Sequence, residues 1–428
     1  MKLSKYTIFY KDQEKHYIFN QISNALLKID NELYSALENK NLQILPAEIC
    51  KTLENNGFII NDDIDETCGI RYGNLISRYN SKLLRITIIP TLSCNFRCWY
   101  CYEDHKASLM TKESAKSILR FIKSEIQNNN IKNVVLDWFG GEPLLRFSQI
   151  IYPLSKILKK WCERNNIIFS NIITTNGSLI NDDMAMKMDE INLRQFQITL
   201  DGDKEHHNKV RFSPSMKDSY DIIVRNIHTL CKIIKNPNIE LRINYTEANI
   251  DNAKSILDSF DEDVRNFIHV SPQIVWQESK KLDSLSNKVL ELKNKAHEKG
   301  YNNNIDKKSF LYRCSVCYVE NMEQFVINYN LDVYKCTARD YNGKYCIGKI
   351  NADGKFLPNN MYYKYYTTQS PFLRKECMEC ELLPSCFFSI ACIQKKIEGY
   401  TPKCHKDLAK AFMLNTIRNK IHQQQHTI

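Results

Sequence analysis

Residues 83–103 read LLRITIIPTLSCNFRCWYCYE. The β-branched run from Leu83 to Ile89 has the composition of a buried strand, Pro90 ends it, and a short loop then delivers Cys94, Cys98 and Cys101. Thiolates separated by three and then two residues reach three corners of one iron-sulfur cubane and leave its fourth iron open, as catalytic metal sites do and closed structural sites do not. A zinc knuckle or three buried thiols is the alternative use of the same residues.

Outward from this loop, strand-like and helix-like segments alternate from residue 83 to 276. Candidate strands are Leu83–Ile89, Val134–Phe139, Ile167–Thr174, Gln195–Leu200, Ile239–Tyr245 and Phe267–Val275. Helical spacing falls near Lys112–Gln127, Ser148–Arg164, Asp182–Glu190, Ser219–Lys235 and Ala248–Phe260. Six strand-helix units predict an α/β fold with parallel strands in an open or partial barrel, its site at the carboxyl ends of the strands. Three of those ends carry polar motifs: Gly140-Gly141-Glu142-Pro143, Thr175-Asn176-Gly177, and Thr199-Leu200-Asp201-Gly202 followed by His206, His207 and Arg211.

The cysteine spacing, with aromatic Tyr100 before the last cysteine and these motifs in order behind it, resembles the radical S-adenosylmethionine (SAM) superfamily. The resemblance implies a partial (β/α)6, TIM-like barrel. It also implies a 4Fe-4S cluster on Cys94, Cys98 and Cys101 whose open iron chelates the amino and carboxylate groups of SAM, and whose electron cleaves SAM to a 5'-deoxyadenosyl radical. The implied cofactor-binding residues are Tyr100, Gly140, Gly141, Glu142, Pro143, Asn176, Thr199 and Arg211. On the family pattern the two glycines let the backbone approach the ligand and Glu142 accepts a hydrogen bond from the SAM ammonium. Thr199, where a serine is usual, contacts SAM through its hydroxyl, and Arg211 holds the SAM carboxylate.

Nine further cysteines crowd the last third, at positions 314, 317, 336, 346, 377, 380, 386, 392 and 404. Cys377-x2-Cys380-x5-Cys386 with Leu383-Pro384 inside it, then Cys392 and Cys404, resembles the SPASM extension, which carries two auxiliary 4Fe-4S clusters. That resemblance gives Cys314, Cys317, Cys336 and Cys392 to one cluster, gives Cys377, Cys380, Cys386 and Cys404 to the other, and leaves Cys346 spare. Five residues separate Cys386 from Cys392 where three are usual, and Leu331 stands where a glycine is common. Two structural zinc sites are the alternative.

Residues 1–67, a hairpin, two helices and a terminal strand by pattern, resemble the winged-helix leader-binding element of enzymes that modify ribosomally made peptides; a simple cap on the barrel is the other reading. A leader peptide would add a strand to that element's sheet edge. Residues 277–312 read as a helical connector, and 313–428 as the cysteine-rich SPASM domain ending in a helix.

The 428 residues, 43% hydrophobic, suffice for a large core. The charged start lacks the apolar stretch of a signal peptide, and no apolar run approaches a membrane span, so a cytoplasmic protein without a membrane partner is expected. Sixteen cysteines without a secretion signal speak for metal ligation and against disulfides. The net charge of +10 is spread along the chain without a basic block, so no nucleic-acid partner is expected.

Together these resemblances imply a peptide maturase. It would take hydrogen from a precursor peptide, close a thioether or carbon-carbon crosslink, and draw electrons from a donor such as flavodoxin or ferredoxin. An anaerobic sulfatase-maturing enzyme is the alternative activity. In that family an aspartate follows the cysteine matching Cys336, whereas here Thr337 follows and Asp340 is the nearest acid. A non-catalytic iron-sulfur carrier or peptide-binding scaffold is the alternative of another class.

Overall fold

The computed structural model describes residues 1–79, 82–302, 317–338, 341, 343–367, 374–386, 404 and 406–425. Cys314, Cys392 and Asp340 lie outside the described residues. The chain divides into two units: residues 1–80, 306–322 and 364–428 form one, and 81–305 with 323–363 the other. The stretch 313–428 is thereby shared between the two.

In the first unit β1 (Lys2–Leu3) pairs with β5 (Ile59–Ile60), and β2 (Thr7–Asp12), β3 (Lys15–Asn20) and β4 (Leu26–Ile29) form an antiparallel sheet. The spacing of residues 21–37 predicts a helix, yet Leu26–Ile29 is a strand. Asn20 Oδ1 accepts from the N–H groups of Ile22 and Ser23, and Asn24 takes a left-handed turn at φ 61°, which returns the chain alongside β3. The helix starts only at Asn31, where Asp30 accepts from Leu33 N at 2.7 Å.

One sheet face buries Ile18 against Leu37, Leu53 and Phe58. The other buries Ile8, Tyr10, Tyr17, Phe19 and Leu26 against Ala409, Met413, Ile417 and Ile421 of the helix Lys406–Gln425. Those four recur every fourth residue and so share a helix face; each isoleucine or methionine so buried contributes about 1.5–3 kcal/mol. Arg418 Nε donates to Tyr10 OH at 2.8 Å beside them. Leu383, in the segment carrying Cys377, packs with Tyr6 and Ile70.

The second unit is built on β6 (Leu83–Ile88), β7 (Arg97–Cys98), β8 (Asn133–Trp138), β9 (Ile168–Thr175), β10 (Leu193–Thr199), β11 (Arg211–Phe212), β12 (Asn238–Tyr245) and β13 (Ile268–Ile274). Six of these lie parallel in the order β13-β12-β10-β9-β8-β6, the partial barrel of the radical SAM fold. Side chains alternate. Leu84, Ile86, Ile88, Val134, Leu136 and Trp138 are fully buried, while Arg85, Asp137, Gln197 and Glu240 take the opposite, inner face half-buried.

Helices follow four of the strands as expected, at Lys112–Asn128, Tyr152–Arg164, Asp182–Glu190 and Ser219–Ile233. After β12 the expected α-helix is instead a 3-10 turn, Asn252–Asp258. Local polar side chains compete for its backbone, with Asn249 bonding the N–H of Thr246 and the carbonyl of Asn244, and Ser255 Oγ the carbonyl of Asn252.

Beyond β6 the sheet continues through β14 (Gln324–Ile327), parallel to it, then β15 (Asp332–Tyr334), β16 (Gly348–Ile350) and β17 (Phe356–Pro358), all antiparallel. The tight β14–β15 turn holds Leu331 at φ 70°, the left-handed region that a glycine enters without strain.

Candidate active site

The loop after β6 is gripped from two sides. On one, the returning chain meets it: Thr91 Oγ1 donates to Ser108 O at 2.6 Å, Leu92 N to Ser108 Oγ at 2.7 Å, and Met110 N to Pro90 O at 3.0 Å. On the other, Gly141 N donates to Thr91 O at 3.2 Å and Glu142 N to Ser93 O at 2.9 Å. A Cβ on Gly141 would lie 2.4 Å from the carbonyl oxygens of Leu92 and Ser93, and one on Gly140 2.5 Å from that of Thr91. The atoms that approach these glycines are thus the backbone of the cysteine loop itself.

Glu142 joins three motifs. Fully buried, its carboxylate accepts from Leu144 N at 3.0 Å, Thr175 Oγ1 at 2.7 Å and Asn176 N at 2.8 Å. Burial pushes its carboxyl up, and the donors from Asn176, Thr175 and Leu144 pull it back. Pro143 opens the short 3-10 turn that Glu142 caps. Asn176 Nδ2 donates to Asn95 Oδ1 at 2.8 Å, and Asn95 Nδ2 to Ser178 Oγ at 3.0 Å, so the Asn-Gly turn is fastened to the residue after Cys94.

A second network gathers at Tyr100. Its hydroxyl donates to Asp201 and receives Arg211 Nη1 at 2.7 Å and Asn244 Nδ2 at 3.1 Å, while Asn244 N donates to Asp201 Oδ1 at 3.0 Å. Arg211 lies 3.8 Å from Asp201, both buried. Burial works against the Arg211 charge, but Tyr100, Cys98 and Asp201 outweigh it and the guanidinium stays firmly cationic. Its Nε is buried with no partner among the described residues, an orphan donor suited to an anion. Thr199 ends β10, buried next to this network. Of the two histidines, His206 N caps onto Asp203 and His207 is buried, its Nδ1 accepting from Asp201 N at 3.2 Å.

Cys94 is half-buried and accepts from Phe96 N at 3.3 Å; burial, then Glu142, pushes its thiol up to about 12. Cys98 is half-buried in β7, and Cys101 is exposed with its Sγ 3.4 Å from His105 Nε2. Among the described residues no three His, Cys, Asp or Glu side chains gather closely enough to share one metal ion. Ligands of a single zinc sit ~2.3 Å from it, whereas cubane thiolates bind separate irons and stand farther apart. Three thiols on one braced loop, with an unpartnered buried cation donor one strand away, fit a cluster and an anionic ligand.

Cys377 is half-buried; burial raises its thiol, Arg374 opposes that, and the neighbouring thiols of Cys386, Cys404 and Cys380 add to it. The four cysteines assigned together by sequence are thus electrostatic neighbours. Of the other assigned set, Cys317 belongs to the first unit and Cys336, which accepts from Ala338 N at 3.3 Å, to the second. Cys346, spare by sequence, donates to Gly348 O at 3.1 Å. Sequence reasoning missed His105, Asn244 and Asp137; only His105, four residues past Cys101, carried a local signal.

This architecture and loop are those of a radical SAM domain, a kind of domain that works with SAM and a 4Fe-4S cluster. Residues 88–258 match the model of the Radical SAM superfamily. The chain is 23% identical to the radical SAM cyclopropyl synthase TigE of Paramaledivibacter caminithermalis over 98% of this chain and 96% of that protein. It is 34% identical to the cysteine-type anaerobic sulfatase-maturating enzyme of Clostridium novyi over 35% of this chain and 41% of that one. The structure of native anSMEcpe with bound AdoMet and Kp18Cys peptide shares the fold with a TM-score of 0.61 at 17% identity, over 81% of this chain and all of that one. Among the described residues no helix is long and apolar enough to cross a membrane.

Proposed function

We propose that the chain is a peptide maturase of the cytoplasm that takes a hydrogen atom from a side chain of a ribosomally synthesised peptide and closes a thioether, a carbon-carbon bond or a similar modification. The observation that carries this reading is the similarity to a radical SAM cyclopropyl synthase along 98% of the chain, against about a third for the sulfatase-maturating relatives. The peptide in the anSMEcpe complex supports the substrate class.

When bound, the cluster and SAM supply a 5'-deoxyadenosyl radical. Cys94, Cys98 and Cys101 hold the cluster, and Arg211 offers its unpartnered Nε to the SAM carboxylate. Thr199 lends its hydroxyl, and the acceptor direction that Glu142 has left goes to the ammonium. Gly140, Gly141, Pro143, Asn176 and Tyr100 keep those groups in place. Cys314, Cys317, Cys336 and Cys392, and separately Cys377, Cys380, Cys386 and Cys404, would hold two auxiliary clusters, whose chemistry would be one-electron transfer. Residues 1–67 bind the leader, and a flavodoxin or ferredoxin supplies the reducing electron.

Against formylglycine formation, Thr337 stands after Cys336 where the resemblance puts that family's aspartate; its carbonyl accepts from Tyr102 OH at 3.0 Å. Anaerobic incubation with SAM, reductant and a precursor peptide encoded beside the gene tests the reading. The expected result is 5'-deoxyadenosine together with a peptide lighter by two hydrogens that does not react with a hydrazide. An aldehyde trapped by the hydrazide on a sulfatase-derived peptide, with the precursor untouched, would replace the maturase by the sulfatase-maturing enzyme.

A further inference from the structure

His105 Nε2 stands 3.4 Å from Cys101 Sγ, within reach of a hydrogen bond to sulfur. The ring is half-buried, and the chain on both sides of it is anchored. Cys101 N donates to Cys98 O at 3.1 Å before it. After it, Ser93 Oγ donates to Lys106 O at 3.3 Å, and Thr91 and Leu92 grip Ser108. The imidazole is therefore held against the sulfur by the same backbone clamp that shapes the cysteine loop. Other donors to the thiols of this loop are backbone N–H groups, that of Phe96 onto Cys94 and that of Glu103 onto Cys101. A side-chain donor differs from them in one respect: it can be removed without touching the main chain.

We propose that His105 donates its Nε2–H to the Cys101 thiolate of the bound cluster and thereby sets the cluster's reduction potential. The proposal rests on the assignment of a cluster to Cys94, Cys98 and Cys101. An N–H aimed at a ligating sulfur withdraws charge from it, and it stabilises the reduced cluster, which carries one more electron, above the oxidised one. Losing that donor leaves the electron on a poorer acceptor, so the potential moves in the negative direction. His105 acts through Cys101 and is a positioning residue; the fourth iron is left to SAM.

The test uses the full chain, anaerobically reconstituted, as wild type, His105→Ala and His105→Gln, the last keeping an N–H donor of similar reach. Potentiometric titration is followed by electron paramagnetic resonance on the signal that SAM addition perturbs. At a fixed solution potential the reduced-to-oxidised ratio of that signal is expected to fall about tenfold in His105→Ala, equivalent to about 59 mV for a one-electron couple. His105→Gln recovers most of the loss, and iron and sulfide content stay at the wild-type level in both. An unchanged ratio in fully loaded His105→Ala overturns the proposal. Iron lost from both variants also overturns it, because His105 would then be a ligand or a brace for the loop. A wild type with no SAM-responsive signal fails the cluster assignment itself, an outcome distinct from a wild type that titrates normally and variants that do not differ from it.

Discussion

Arg211 and Cys98 face each other across the two-residue antiparallel ladder between β11 and β7. The distance between a buried cation and a cluster-loop cysteine is thus fixed by main-chain pairing, and the side chain of Arg211 only chooses its partners, Tyr100 and Asp201.

Arg211→Met leaves Asp201 buried without its cation, and breaking such a pair costs about 3–5 kcal/mol. An unfolding free energy lowered by that amount is expected from urea titration. Arg211→Lys keeps the charge but cannot bond Tyr100 and present a second N–H at once. It is expected to fold with a smaller loss and to raise the SAM concentration for half-maximal 5'-deoxyadenosine formation at least about tenfold, which is ~1.4 kcal/mol of binding. Normal SAM affinity in a folded lysine variant would remove Arg211 from the SAM site.

Gly141→Ala sets a methyl 2.4 Å from two carbonyl oxygens of the cysteine loop, a backbone clash that a rotamer change cannot relieve. The loop must shift, and ~1 Å of misplacement in a positioned site costs about a hundredfold in rate. Iron per chain after reconstitution and the rate of SAM cleavage should both fall, with the barrel's far-UV circular dichroism intact.

Asp137 lies on the inner face of β8, with Thr87 Oγ1 at 3.5 Å and Arg85 Nη1 at 3.8 Å, and burial pushes its carboxyl from 3.8 up to about 6. The folded chain then holds this proton more tightly than the unfolded one. Stability contributed by the neutral form is full below pH ~4 and is lost as pH rises through about 6, by up to ~3 kcal/mol. Asp137→Asn is therefore expected to be neutral near pH 4 and stabilising by roughly 1–3 kcal/mol at pH 8. Urea titrations at the two pH values check it, and equal gains at both would show that Asp137 titrates normally.

Leu331 at φ 70° pays the left-handed penalty of about 1–2 kcal/mol. Replacement by Gly or Asn should raise the unfolding free energy of the barrel unit, read by urea titration, by about 0.5–1 kcal/mol, reduced from the full penalty because glycine also frees the unfolded chain. A loss of stability would mean that the leucine side chain packs better than its backbone suffers.

The barrel strands were legible because β-branched runs bounded by turn residues mark them, and β6, β8, β9, β10, β12 and β13 begin and end within about two residues of the expected limits. The same method misread Leu26–Ile29, four residues whose pattern suits helix or strand equally until Asn20 and Asn24 turn the chain. It misread Ala248–Phe260, where apolar spacing was right but Asn and Ser side chains took the backbone bonds.

Within the site, spacing announced Cys94, Cys98 and Cys101, since their chemistry is local in sequence. Nothing local announced Asn244, which reaches Tyr100 from 144 residues away. Gly140 and Gly141 were legible as points of close approach, but not that the approaching atoms belong to Thr91, Leu92 and Ser93. The four-residue rhythm of Ala409, Met413, Ile417 and Ile421 likewise predicts a buried face without naming the sheet that buries it.

That sheet and its covering helix lie far apart along the chain. Between Ile29 and Lys406 the ribosome adds about 380 residues, roughly 20–75 s of synthesis at 5–20 residues per second. Throughout that interval Ile8, Tyr10, Tyr17, Phe19 and Leu26 of the nascent chain wait without the helix that will cover them. The barrel strands and β14 to β17 all emerge before it, so the unit holding this sheet is completed after the barrel strands have been made, and its bare sheet face is what a chaperone would meet on the nascent chain.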